Sequence, residues 1–235
     1  MNNSVRTVIK LNLRHITGAY IATIAGIAVL ASSYIINHFH ALQGEYMGGN
    51  IGVSIGWALW CLPVAAAIAI PARHFRRIAS LGGKRDSFNK GSLLTYVILA
   101  AAASLVGTIV YYIEGAYVSA SALYAGVYTV PVSFGWYLHG PIGIFFQQFA
   151  FLFLTALFIH AFVAMQGKWY GWAMTVGLIA VVSVFLPIAT LRELVVGYFY
   201  IIIYNPITIL QIAACIAIGL LFYALSKVVF ARKAI

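Results

Sequence analysis

The sequence predicts an all-α integral membrane protein of six transmembrane helices, with both its N- and C-termini cytoplasmic. Three observations predict this class. Of 235 residues, 63% are hydrophobic and only 8% are charged, against roughly 45–50% and about 25% in soluble domains. The chain carries six long runs without Lys, Arg, Asp or Glu, each able to fill the apolar thickness of a bilayer. The basic residues gather beside alternate ends of those runs, which is the distribution that sets orientation in a membrane.

Taken in chain order, the first element is a short interfacial segment. Val5, Val8, Ile9, Leu11 and Leu13 interleave with Arg6, Lys10 and Arg14, the pattern of a helix lying in the inner interface; a basic tail used only for orientation is the alternative. Six spans follow: Ile16–Ile36, Ile51–Ile70, Ser92–Ile113, Pro141–Val163, Gly171–Leu191 and Pro206–Ser226. About 20 residues at roughly 1.5 Å each cover roughly 30 Å of hydrocarbon. The first run is read as a retained helix, because no small-residue cleavage site follows it.

With the N-terminus inside, 13 of the 14 Lys and Arg residues fall on the cytoplasmic side and Arg192 alone falls outside. The uncharged stretch Tyr117–Leu138 is the competing seventh span, and counting it gives a 10 to 4 distribution. Gly126, Pro131, Gly135 and the Tyr and Ser residues of that stretch suit a cap or re-entrant segment better. Near the end of the chain, Arg192 and Glu193 either cap a helix pair at the outer surface or belong to a re-entrant segment over Arg192–Asn205, in which Val195–Tyr204 is apolar enough to dip into the membrane without forming a full span. Pro206 then opens the last helix. One membrane domain, 1–235, accounts for the whole chain.

The formal charge of +10 does not indicate nucleic acid, since the basic residues border apolar runs where they meet water and anionic head groups. Cys61 and Cys215 lie in different runs without metal-ligand spacing and read as small apolar residues. Enzymatic signals are weak. Glu114, Glu193, His139 and His160 form no acid pair or metal-binding pattern, and His38 with His40 reads as interfacial polarity. Gln147, Gln148 and His160 are unusual at membrane depth, and either tie helices together or face a translocation path. Gly18, Ala22 and Gly26, and likewise Gly48, Gly52 and Gly56, form faces that permit close helix contact.

The connection between the second and third spans is the most informative segment. Phe75, Ile78, Ala79 and Leu81 supply one apolar face while Arg73, Arg76, Arg77 and Ser80 stay polar, which predicts a short amphipathic helix. Gly82 or Gly83 can end it in a left-handed conformation, and Asp86 is placed to cap the turn toward the third span. Such a helix docks into a partner or simply fixes topology with its charges.

Phe75-Arg76-Arg77, Leu81-Gly82-Gly83 and Lys84-Arg85-Asp86-Ser87-Phe88 together resemble the cytoplasmic loop of bacterial type-two ABC export permeases, especially small permeases of lantibiotic or bacitracin-like peptide export and immunity. The resemblance extends architecturally over almost the whole chain. It implies a coupling helix carrying Phe75, Arg76, Arg77, Ile78, Leu81, Gly82, Gly83 and Asp86, which enters a cleft on a separate ATPase. It further implies two ATPase subunits that hold ATP and Mg, a second identical or related permease, and an amphipathic peptide or hydrophobic toxin as cargo. The expected location is a bacterial cell membrane. No cofactor is expected in this chain, and no ATPase activity of its own, because Leu81-Gly82-Gly83-Lys84-Arg85 lacks the spacing of a phosphate-binding loop. The rival expectations are a non-transporting immunity protein or sensor scaffold and an ion-coupled transporter.

Overall fold

The structure is a computed structural model that describes residues 3–42, 51–80, 84–121, 126–166 and 168–232. It consists almost wholly of helices, five of them long and apolar enough to cross a membrane, with a bent pair that passes the same test jointly. The chain is a multi-pass α-helical membrane protein. A two-stranded parallel pair is the one exception to all-α architecture among the described residues.

Helix α1 (Asn3–His15) forms over the predicted amphipathic segment. Val5, Val8 and Asn12 are buried, at a spacing that puts them on one face, while Arg6, Lys10 and Arg14 are exposed. Helix α2 (Thr17–Leu42) follows after one residue. Its apolar side chains Ile21, Ile24 and Val29 are exposed, which suits lipid rather than a protein core.

The second span begins later than the sequence suggests. Ile51–Val53 is strand β1, and the helical span runs from Gly56 to His74 through α3 (Gly56–Leu59) and α4 (Cys61–Ala69). Gly52 therefore lies in a strand and forms no helical face with Gly56, and Gly48 lies outside the described residues. Gly26 does provide close contact, since a Cβ there would meet Ala58 Cβ at 3.1 Å, whereas Gly18 faces open space.

A π-helical turn, Ile70–His74, joins α4 to α5 (Phe75–Ser80). Pro71 has no N–H to give the preceding turn, so the ladder widens there rather than continuing as α-helix. Helix α6 (Arg85–Ser121) has 37 residues and a length of about 55 Å. That exceeds the roughly 30 Å of hydrocarbon, so its ends project beyond the Ser92–Ile113 run.

The stretch Tyr117–Leu138 forms no seventh span among the described residues. It gives the end of α6, strand β2 (Gly126–Tyr128), α7 (Val130–Ser133) and a 3-10 turn at Trp136–His139. Thr129 Oγ1 accepts the Val132 N–H at 3.3 Å as the cap of α7, and Gly135 takes φ 73°, which glycine adopts without strain. Strand β2 pairs with β1, Ile51 opposite Gly126 and Val53 opposite Tyr128. The pair supplies partners for backbone groups that no helix satisfies there. Trp57 stacks on Tyr128 at 6.3 Å and donates its indole N–H to the Tyr128 carbonyl at 3.0 Å.

Helix α8 (Gly140–Met165) is the most buried candidate span, and it occupies the centre of the bundle. Helix α11 (Thr208–Arg232) lies against it through Gly219, where a Cβ would come within 3.3 Å of Leu157 and 3.4 Å of Leu154.

The fifth predicted span, Gly171–Leu191, is not one helix. Trp169–Phe185 and Ala189–Tyr204 are two helices bent by 119°. They comprise α9 (Trp169–Ala180) with a π turn at Val181–Phe185, and α10 (Ala189–Phe199) with a π turn at Tyr200–Tyr204. The break falls at Leu186-Pro187-Ile188, where Pro187 cannot donate to the preceding turn and Ile188 is extended at φ −87°, ψ 118°. The last helix starts at Thr208 rather than Pro206, and Asn205 Oδ1 accepts the Ile207 N–H at 2.9 Å ahead of it.

Candidate functional site

Of the residues predicted to form an amphipathic helix, Phe75–Ser80 are helical, and the apolar side chains Phe75 and Ile78 are covered by the chain itself. In α5, Phe75 and Ile78 are buried at 4% and 8% exposure. Phe75 lies 4.4 Å from the Phe230 ring and 5.3 Å from the Phe88 ring, and Phe88 and Phe230 are 5.5 Å apart. Three aromatic rings from α5, α6 and α11 thus close on one another, which fixes the helix to its own chain. The outward side carries Arg73 from the π turn and Arg77 and Ser80 from α5, all exposed. Arg76 lies in α5, and its side chain is outside the described residues, as are Leu81, Gly82 and Gly83.

Polar contacts reinforce this junction. Asp86, in the first turn of α6, sits 2.7 Å from Lys90 Nζ and 3.8 Å from Lys227 Nζ. Its acidic group favours the positive end of the α6 dipole, while the exposed ion pairs themselves add little stability. Arg85 Nη1 donates to the Phe230 carbonyl at 3.2 Å. The connection is therefore bound to the far end of the chain, a contact 145 residues distant in sequence.

Helix α1 is tied into the same end. His74 Nδ1 and Asn12 Oδ1 are 2.9 Å apart, and Asn12 Nδ2 donates to Thr95 Oγ1 at 3.3 Å. The Ser4 and Ser87 hydroxyls are 3.0 Å apart. Close approach depends on Gly91, where a Cβ would stand 2.5 Å from Val8 Cγ1. Sequence reading missed His74, Asn12 and Thr95 as a set, because side chains from three separate elements carry no common spacing.

The polar residues of α8 turn inward and join helices. Gln147, Gln148 and His160 are all buried, at 0%, 2% and 0%. Gln147 Nε2 donates to Gln211 Oε1 at 2.7 Å, and Gln211 Nε2 donates to the Ile202 carbonyl at 3.1 Å. Cys215 Sγ also reaches that carbonyl, at 3.4 Å, and Trp136 Nε1 donates to Ile203 O at 2.9 Å. The last turn of a helix leaves carbonyls without intrahelical donors, and in an apolar setting side chains must serve them. Gln211, Cys215 and Trp136 do so for the end of the bent pair. Gln148 packs on Gly107, whose Cβ would come within 2.8 Å of its Oε1.

His160 links the interior to the α5 junction. Its Nδ1 lies 2.7 Å from the Tyr96 hydroxyl, and its ring stands 5.6 Å from Phe230. Its Nε2 is buried without a hydrogen-bond partner. A contiguous path of packed groups therefore runs from Phe75 through Phe230 and His160 to Tyr96. Of these, only Phe75 and His160 stand out in the sequence; Tyr96 and Phe230 look like ordinary span aromatics.

At the opposite end of α6 lies a group that sequence reading undervalued. Glu114 is 6% exposed, and its Oε1 accepts the Ile55 backbone N–H at 2.8 Å and the Tyr34 hydroxyl at 3.3 Å. In sequence it looks like a boundary acid, whereas the structure encloses it between α2, α6 and the start of the second span.

No protein-family model, no curated protein and no solved structure matches this chain.

Proposed function

We propose that this chain is the membrane subunit of an ATP-driven export permease of the bacterial ABC kind, working in a bacterial cell membrane. Two such subunits, identical or related, would associate with two ATPase subunits that hold ATP and Mg. The observation that carries the reading is the α5 junction. Phe75 is wedged between Phe88 and Phe230, so a push on α5 reaches the second span, the third span and the last helix together. Arg73, Arg77 and Ser80 are left on the outer side, where a partner can touch them.

In this account the ATPases close on ATP, and their movement displaces α5 through its polar side. Phe75 passes the displacement to Phe230, and the His160–Tyr96 contact carries it into α8 and α6. Packed side chains with few voids transmit such shifts well. In this reading Trp169–Phe185 crosses to the outer side, and Ala189–Tyr204, held at its end by Gln211 and Trp136, is the re-entrant outer segment before the last span. An amphipathic peptide or hydrophobic toxin then leaves the bilayer outward. The positive-inside distribution puts α1, α5 and both termini in the cytoplasm under this reading.

The test is affinity purification from the native membrane in mild detergent, comparing wild type with Arg73→Glu/Arg77→Glu. Phe75 and Ile78 are unsuitable for substitution, because they hold the fold. The expected result is an ATP-binding-cassette subunit retained by wild type and reduced at least about tenfold by the double reversal, a change that corresponds to roughly 1.4 kcal/mol. Absence of any such subunit across detergents and nucleotides would falsify the coupling reading. Equal retention by both proteins would remove Arg73 and Arg77 from the contact.

A further inference from the structure

We infer that the cavity walled by Tyr34, Ile35, Phe39, Ile55, Glu114 and Tyr117 binds an amphiphile carrying a primary ammonium group on an alkyl chain. The inference goes beyond the export function, since such a site serves a permease, a sensor or a scaffold alike. It stands at the end of α6 remote from the α5 junction.

The cavity has a volume of about 470 Å³, within the roughly 300–1,000 Å³ of small-molecule sites. Its lining is almost wholly apolar, with one acid. Ile35, Phe39 and Ile113 have exposed side chains, so the cavity faces sideways toward the lipid, and an alkyl chain reaches it from within a leaflet. Tyr34 and Tyr117 meet edge to face at 6.3 Å, and aromatic faces attract cations.

Glu114 decides the chemistry of the head group. Its Oε1 already has two donors, the Ile55 N–H at 2.8 Å and the more distant Tyr34 hydroxyl at 3.3 Å. Its Oε2 is buried and has no hydrogen-bond partner, and among the described residues no basic side chain pairs with it. A buried carboxylate oxygen without a donor is costly, and such an atom calls for a ligand or ion. A primary ammonium supplies N–H donors and the opposite charge at once. A quaternary ammonium offers charge without donors, and an alcohol offers a donor without charge. The site therefore ranks the primary amine above both.

The experiment uses the full chain in nanodiscs of phosphatidylcholine, a lipid with no primary amine, and measures binding of radiolabelled decylamine by equilibrium dialysis. Decanol and decyltrimethylammonium are the competitors. Decylamine should bind saturably, at least about tenfold more tightly than either competitor, since a hydrogen bond to a charged group is worth about that factor. Glu114→Gln should weaken decylamine at least about tenfold while leaving decanol unchanged, because glutamine retains an oxygen for Ile55 and Tyr34. Equal binding of decylamine to wild type and Glu114→Gln would overturn the site, as would decanol binding as tightly as decylamine.

A second measurement on unsubstituted protein guards against a variant that fails to fold. An apolar carbodiimide should couple bound decylamine to Glu114 as an amide, read by peptide mass, in preference to the exposed Asp86 and Glu193. Coupling at Asp86 and Glu193 with none at Glu114 would equally overturn the proposal. Phosphatidylethanolamine added to the nanodiscs separates the sources of the amine. Competition with decylamine assigns the site to a lipid head group, and lack of competition assigns it to a single-chain amine.

Discussion

At the scale of single residues, the interior of this bundle is governed by where buried polar atoms find partners. Tyr96 and His160 are both fully buried and face each other at 2.7 Å. Removing one partner leaves the other unpaired in an apolar interior, whereas removing both is far less damaging. Tyr96→Phe should therefore lower stability by about 1–2 kcal/mol, and Tyr96→Phe with His160→Leu should recover most of that loss. Unfolding in detergent measures both. Two additive losses would show that the pair contributes nothing as a pair. His160 and Gln147 were legible in the sequence as odd residues in apolar runs. Their partners Tyr96 and Gln211 were not, because identifying a partner requires knowing which helices are neighbours. Glu114 was visible as an acid, but its burial follows from α2 and the Ile55 backbone closing over it.

At the scale of elements, hydropathy and charge located the helices well and their ends less well. A run without charges does not reveal where a helix stops: Ile51–Val53 continues the apolar run of the second span yet forms a strand with Gly126–Tyr128. Gly171–Leu191 is likewise free of charge throughout, yet Pro187 breaks it and the chain turns by 119°. The amphipathic α1 and α5 were both legible from their periodicity. What covers their apolar faces was not. For α1 it is α6, and the contact depends on the absence of a side chain at Gly91. Gly91→Val should push α1 away, because even a Cβ there stands 2.5 Å from Val8 Cγ1. The check is a Ser4→Cys/Ser87→Cys pair, whose hydroxyls lie 3.0 Å apart, in a background with Cys61 and Cys215 replaced by Ala. Oxidation should link the pair readily in the parent and at least about tenfold more slowly with Gly91→Val. Unchanged linking would mean that α1 absorbs the bulk without moving.

At the scale of the whole molecule, the fold divides α6 between two assemblies. One end gathers α1, α5 and the end of α11 around Phe75, Phe88 and Phe230. The other holds the strand pair, the aromatic contacts of Trp57 and the enclosed Glu114. The first is the proposed point of coupling and the second the proposed amphiphile-binding site, with the Tyr96–His160 contact between them. The most direct measurement of this account places a photo-crosslinking amino acid at Ser80, on the exposed side of α5, and separately at Tyr128, on β2, in native membranes. Ultraviolet light should join Ser80 to an ATP-binding-cassette subunit, identified by its phosphate-loop peptide, and should give no such adduct from Tyr128. The account is contradicted by an equal adduct at Tyr128, or by no cassette adduct at Ser80.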